Sequence, residues 1–190
     1  MRQSKVVLGV TGSIAAYKAV DIAARLKENG ADVFCVMTKE AAEFITPVTL
    51  KAISGNKVYS KMFGSEEEWI SHISLAKAAD LLLIAPATAN IIGKLANGIA
   101  DDLLTCIALA TRAPILIAPA MNTLMYESKP VQENISRLKK FGAKLIGPKV
   151  GRLACGTVGL GHIACVEDIV SESLGLLGKG RRKALHNKCK

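Results

Sequence analysis

Apolar residues in this chain gather in short runs, separated by stretches where they recur every three or four positions, the pattern of buried strands alternating with amphipathic helices. Lys5 to Val10 (KVVLGV) reads as the first strand, with Thr11-Gly12-Ser13 after it, then a helix from Ile14 to Asn29 that Gly30 closes. Ala31 to Met37 (ADVFCVM) is a second strand, and Thr38 follows it directly, before a helical AAEFI segment and Pro47. Leu81 to Ala85 is short and apolar enough for a strand buried on both faces, which Pro86 is expected to stop. Thr88-Ala89-Asn90 then leads into an amphipathic helix, Asn97-Gly98 turns the chain, and Asp101-Asp102 is expected in the first turn of a helix spanning Ile99 to Leu109. Pro114 to Ala118 is another buried strand, followed by Met121-Asn122. Lys129 to Phe141 has Val131, Ile135, Leu138 and Phe141 on one face, and Ala143 to Gly147 makes a last short strand. Residues 55–73 read as irregular, Gly151 to Gly161 as a flexible glycine-rich flap, and Val166 to Leu177 as the closing helix. Strands and helices alternating at these lengths predict an α/β fold, a doubly wound parallel sheet in a single domain.

Composition narrows the class without changing that picture. With 190 residues, half of them hydrophobic, there is material for one full core and no linker for a second. No apolar run approaches the roughly 20 residues of a membrane span, and the N-terminus shows no signal-peptide pattern, so a cytoplasmic protein without a membrane partner is expected. The net charge of +9 suggests nucleic acid until it is located: the tail KGRRKALHNKCK (179–190) holds six Lys or Arg and no acid, leaving +3 on residues 1–178. The reading is a domain over 1–178 and a basic, disordered tail over 179–190, with no nucleic-acid partner. The five cysteines (Cys35, Cys106, Cys155, Cys165, Cys189) show no C-x-x-C spacing, which argues against disulfides and against a bound metal.

Candidate chemistry collects after the strands. A strand, a glycine turn and a helix capped by Ser13 make a phosphate cradle, because backbone N–H groups point outward and Gly12 lets a ligand approach. G-V-T-G-S is not G-x-G-x-x-G, so a mononucleotide fits better than a dinucleotide. Thr38 and Thr88 add hydroxyls at two further strand ends. His72, alone in HISL, would ordinarily be a structural or surface residue.

Together GSIAAYK (12–18), HISL (72–75), APATANIIGKLANGIADDLL (85–104), PAMN (119–122) and LACG (153–156) resemble the flavin-dependent phosphopantothenoylcysteine decarboxylases, within the homo-oligomeric flavin-containing cysteine decarboxylase family. The resemblance implies a Rossmann-like sheet, FMN held between subunits of a trimer or a trimer-based dodecamer, and decarboxylation of 4'-phosphopantothenoyl-L-cysteine to 4'-phosphopantetheine in coenzyme A biosynthesis. It makes Gly12, Ser13, Thr38, Thr88, Ala89 and Asn90 FMN contacts. It makes His72, Asn122 and Cys155 the catalytic histidine, the carboxylate-holding asparagine and the flap cysteine, with Met121 and Ala154 beside the substrate. Loss of CO₂ from a cysteine needs an electron sink, which a flavin supplies; His72 suits proton transfer and Cys155 the return of a proton. Tyr126 departs from the family, standing where PxMNxxMW has tryptophan. So does GHIAC (161–165), where relatives usually read Gly-Arg-Met-Ala-Glu-Pro, with consequences for how the flap is anchored. The resemblance also implies a phosphopantothenate-cysteine ligase, separate or fused, as a partner. An oxidative peptidyl-cysteine decarboxylase, a flavin prenyltransferase and a non-catalytic flavin-binding regulatory subunit are the alternatives.

Overall fold

Five parallel strands carry the architecture: β1 (Ser4–Val10), β2 (Ala31–Met37), β3 (Leu81–Ala87), β4 (Ile115–Pro119) and β5 (Lys144–Leu145), in the order β2-β1-β3-β4-β5. They are seen in a computed structural model that describes residues 2–62, 71–154 and 156–178. Every residue of β3 is buried, as the continuous run of Leu and Ile requires of a central parallel strand. The two faces of that strand feed different cores. Leu81, Leu83 and Ala85 join Val6, Leu8 and Val10 in one cluster, while Leu82 and Ile84 join Val7 in the other, the period of two made visible.

Helices cover both faces. α1 (Lys18–Glu28), α2 (Pro47–Ser54) and α8 (Val166–Leu176) bring Ile22, Leu26, Leu50 and Ile169 to the first cluster. α3 (Ser71–Ala78), α4 (Ala89–Ala96), α5 (Leu103–Ala110) and α7 (Lys129–Lys140) bring Leu75, Ile92, Leu104 and Ile135 to the second. The short α6 (Thr123–Glu127) follows β4, and an antiparallel hairpin, β6 (Lys149–Arg152) with β7 (Val158–His162), stands outside the sheet. Leu83 is fully buried between layers, so Leu83→Ala is expected to lower the unfolding free energy by about 2–5 kcal/mol, read as a lower midpoint in urea at unchanged slope.

The chain departs from its sequence pattern at several places. Pro86 does not stop β3. The ladder with β4 shifts register between Ile84 and Ala87 and carries on to the pair Ala87 and Pro119, so the missing N–H falls within the irregularity. Asp102 lies ahead of its helix as the cap of α5, its side chain accepting from the Thr105 N–H at 2.8 Å, and both Asp101 and Asp102 pair with Lys94. The helix expected from Ile99 therefore begins at Leu103, and most of its apolar residues are taken up by the chain's own core. The helix expected over 14–29 opens with a 3-10 turn, Ile14–Tyr17. Phe141 is 70% exposed, because it sits one residue past α7 and off its buried face. Ser71 begins α3 within the stretch read as irregular. The supposed loose flap is the β6–β7 hairpin; a Cβ at Gly161 would collide with the Met121 carbonyl oxygen, so the strand lies directly on that backbone. Glu66 to Glu68, Trp69, Cys155 and the tail 179–190 lie outside the described residues.

Candidate active site

The order of the sheet reverses between β1 and β3, where the chain leaves β1 for β2 on one side and then returns to β3 on the other. Ligands of open α/β sheets bind beyond the carboxyl ends of strands at such a point. Thr11 ties the two ends together: its Oγ1 donates to the Pro86 carbonyl at 2.7 Å and accepts from the Thr88 N–H at 3.2 Å.

Four strand ends then repeat one device, a short polar side chain capping the helical segment that follows. Ser13 Oγ accepts from the Ala15 N–H at 3.3 Å, Thr38 Oγ1 from Ala41 at 3.3 Å, Thr88 Oγ1 from Ile91 at 3.3 Å, and Asn122 Oδ1 from Leu124 at 2.8 Å. All four caps face a single cavity of about 740 Å³. Gly12 and Ser13, Thr38, and Thr88, Ala89 and Asn90 line it from β1, β2 and β3; Met121 and Asn122 line it after β4; the hairpin closes it with Arg152, Leu153, Ala154, Gly161 and His162. Every cofactor residue named from sequence is thus brought together with Met121, Asn122 and Ala154. Cys155, next to Ala154, lies outside the described residues.

His72 is placed elsewhere. It sits on α3, which packs against α5, and is not among the residues lining the cavity; its Nδ1 is buried without a hydrogen-bond partner among the described residues. The thiols of Cys35 and Cys106 are poor candidates for the chemistry. Burial pushes Cys35 up to about 12, and burial together with Asp102 and Asp101 raises Cys106.

Three cationic or basic side chains stand on the wall: Lys18 and Arg152, which the sequence did not single out as site residues, and His162, marked there only as a departure from the family pattern. Lys18 Nζ lies 3.2 Å from His162 Nε2, and burial, with the Lys18 ammonium next, holds the His162 imidazole below the usual histidine range. Lys18 closes the GSIAAYK motif, so its nearness to Ser13 was legible; the hairpin's contribution depends on pairing across β6 and β7, which no local pattern announces.

The site suits a mononucleotide flavin on its own geometry. A Cβ at Gly12 would overlap the Glu40 Cβ, so glycine is what lets the turn after β1 pack against the turn after β2 and bring two walls of the cradle together. Capped segments supply outward N–H groups for a phosphate, and Ile14, Ala89, Ile91 and Met125 offer apolar surface for a ring. Ile14, Tyr17 and Met125 on this rim are 60%, 56% and 49% exposed.

Comparison with known proteins agrees. The family described as Flavoprotein matches residues 1–178. A probable phosphopantothenoylcysteine decarboxylase of Streptococcus mutans is 48% identical over 171 residues, covering 88% of this chain and 96% of that protein. The coenzyme A biosynthesis bifunctional protein CoaBC of Vibrio vulnificus is 50% identical over 160 residues, 84% of this chain, and the chain spans 40% of its length. Among solved structures, a PPC decarboxylase mutant complexed with pantothenoylaminoethenethiol superposes with a TM-score of 0.79 at 36% identity, over 90% of this chain and 97% of the other. The FMN binding protein AtHal3 superposes with a TM-score of 0.76 at 36% identity, over 90% and 95%.

Proposed function

The chain belongs to the Flavoprotein family, and from that premise we propose that it is an FMN-dependent phosphopantothenoylcysteine decarboxylase, converting 4'-phosphopantothenoyl-L-cysteine to 4'-phosphopantetheine in coenzyme A biosynthesis. The observation that carries the reading is the meeting, in one cavity at the switch point, of candidate residues from four strand ends and the hairpin. FMN, when bound, supplies the two-electron acceptor that decarboxylation of a cysteine needs. Gly12, Ser13, Thr38, Thr88, Ala89 and Asn90 hold it. The Asn122 amide orients the substrate carboxylate by hydrogen bonding, without the full charge pairing that would stabilise the ground state as much as the transition state. Met121 and Ala154 border the substrate, whose phosphate finds the cations Lys18 and Arg152.

His72 moves the proton at its ring nitrogen, and its position away from its own cavity supports a shared site in which a second copy supplies it. The exposed apolar residues on the rim support the same reading, with a trimer, or a trimer-based dodecamer, as the assembly. Length relative to the bifunctional relatives supports a ligase as a separate or fused partner. No helix among the described residues is long and apolar enough to cross a membrane, and a cytoplasmic location goes with the proposed pathway. The domain is assigned to residues 1–178 and the basic tail to 179–190.

Mass spectrometry of the product tests the function and the role of Cys155 together. The wild-type chain, with FMN as its released cofactor, is expected to make phosphopantetheine. Cys155→Ser is expected to yield instead a decarboxylated product lighter by two hydrogens, because a hydroxyl is a far weaker acid than a thiol, whose ordinary pKa is about 8.5. Normal product from the variant at an undiminished rate removes Cys155 from the chemistry. The lighter product from the wild type would make the protein an oxidative decarboxylase, and no product from an FMN-loaded chain would make it a regulatory subunit.

A further inference from the structure

Lys18 begins α1 and His162 ends β7, yet they meet on the cavity wall with Nζ 3.2 Å from Nε2. An ammonium can only donate, so Nε2 accepts, and the ring must be neutral with its proton on Nδ1. The backbone of Arg152 is a further hydrogen-bonding neighbour of the ring. The ring has little freedom to swing away. A Cβ at Gly151 would come within 3.0 Å of the His162 Cβ and Cγ, and Gly161, just before it, hydrogen-bonds through its carbonyl to the Met121 N–H at 3.1 Å.

We propose that His162 is a positioning residue for Lys18: the neutral ring holds the ammonium against the hairpin, and a ring that gains a proton frees the ammonium toward the cavity and adds a second charge, tightening the grip on a phosphomonoester. The inference rests on the cavity being the site of a phosphorylated substrate. It assigns to a position that departs from the family pattern the control of the cation facing the substrate's phosphate.

The electrostatic surroundings fit. Lys18 faces the ring with its ammonium from α1, and Arg152 faces it with its backbone from β6. Lys149, the cross-strand partner of His162, is tied to Asp168 at 2.5 Å and to Cys165 at 3.3 Å, so much of its charge is met on the far side. Glu40 is the acid lining the cavity. Burial, then Lys18, keeps the free ring below the usual histidine range. A bound dianion acts in the opposite direction and raises its proton affinity again. The sign follows: the bound form titrates higher than the free form, so anion affinity increases as pH falls through the bound-form midpoint and levels off below the free-form midpoint.

The test uses the full FMN-loaded chain and sulfate, which stays doubly charged across the range, so that the protein and the FMN phosphate alone titrate and His162→Gln separates the two. Calorimetry measures sulfate affinity between about pH 8 and about pH 5.5, and nitrogen NMR of labelled histidine follows His162 without turnover. Expected are an Nδ1-protonated neutral tautomer, a His162 midpoint raised by sulfate, and wild-type affinity that increases about tenfold as pH falls, the size of a one-unit shift. In His162→Gln the slope should flatten, since the amide can still accept from Lys18 but cannot gain a proton. His162→Leu should bind sulfate with a flat profile and raise KM for the phosphorylated substrate more than it lowers kcat. The proposal is overturned by a His162 midpoint indifferent to sulfate, by a His162→Gln profile as steep as the wild type's, or by the Nε2-protonated tautomer. A sulfate effect seen in flavin-free protein alone also overturns it, because the occupant would then be the cofactor's phosphate. The NMR titration stands apart from catalysis, so absence of product defeats the decarboxylase reading while leaving this one to its own result.

Discussion

His72→Asn is expected to reduce product formation by about 10²–10⁴-fold, the usual worth of a positioned proton-transfer group, while FMN content stays at the wild-type level. The second half of that expectation comes from placement. His72 lies on α3 and does not line the cavity, so the substitution leaves every residue lining its own chain's cavity in place. Its buried Nδ1, without a partner among the described residues, is a polar atom whose cost the isolated chain does not offset. If a second copy brings His72 to the site, a variant without the histidine and one whose cavity stays empty at limiting FMN should restore one another. Dissociating and reassembling an equal mixture of His72→Asn and Gly12→Val is expected to recover roughly a quarter of wild-type activity, the chance that an intact cavity meets an intact histidine in random assembly. No recovery on mixing, together with a monomer mass by light scattering while FMN is still bound, would end the shared-site reading.

Gly12→Val alone should weaken FMN binding by about ten- to a hundredfold, measured by fluorescence quenching on titration. The first carbon of the new side chain would already overlap the Glu40 Cβ and lie 3.2 Å from the Glu40 carbonyl carbon. Backbone is involved, so the conflict cannot be relieved by rotating a flexible side chain. The 3-10 turn Lys39–Glu43, capped by Thr38, must move away from the cradle. Overpacking of this sort costs about 1–3 kcal/mol, and each 1.4 kcal/mol is about tenfold in affinity. Unfolding should become easier by a similar amount, because the turn that must move carries Ala41, a fully buried member of the first core. A valine variant that binds FMN as tightly as the wild type would show that cofactor binding does not depend on how the Gly12 and Glu40 turns meet.

Much of this protein was legible in its chain. Buried runs such as LLLIA and KVVLGV have one physical use, since only the interior of a parallel sheet covers both faces of a strand, and helices of alternating apolar period must then pack on either side. The strand-end walls of the cavity were legible for a similar reason. Ser13, Thr38, Thr88 and Asn122 each follow a strand closely, and a short polar side chain there caps the next helical segment and faces the crevice beyond the sheet. Tertiary structure decided what depends on distant pairing. Pro86 reads locally as a strand stop, yet a register shift lets β3 pass through it. Gly151 to Gly161 reads as a glycine-rich flap with no pairing of its own, yet cross-strand bonds between β6 and β7 and the contact of Gly161 with Met121 set it against the cavity. The meeting of Lys18 with His162 and the separation of His72 from the cavity follow from how α1, α3 and the hairpin pack, and side-chain periodicity within one element carries no information about the neighbour it will face.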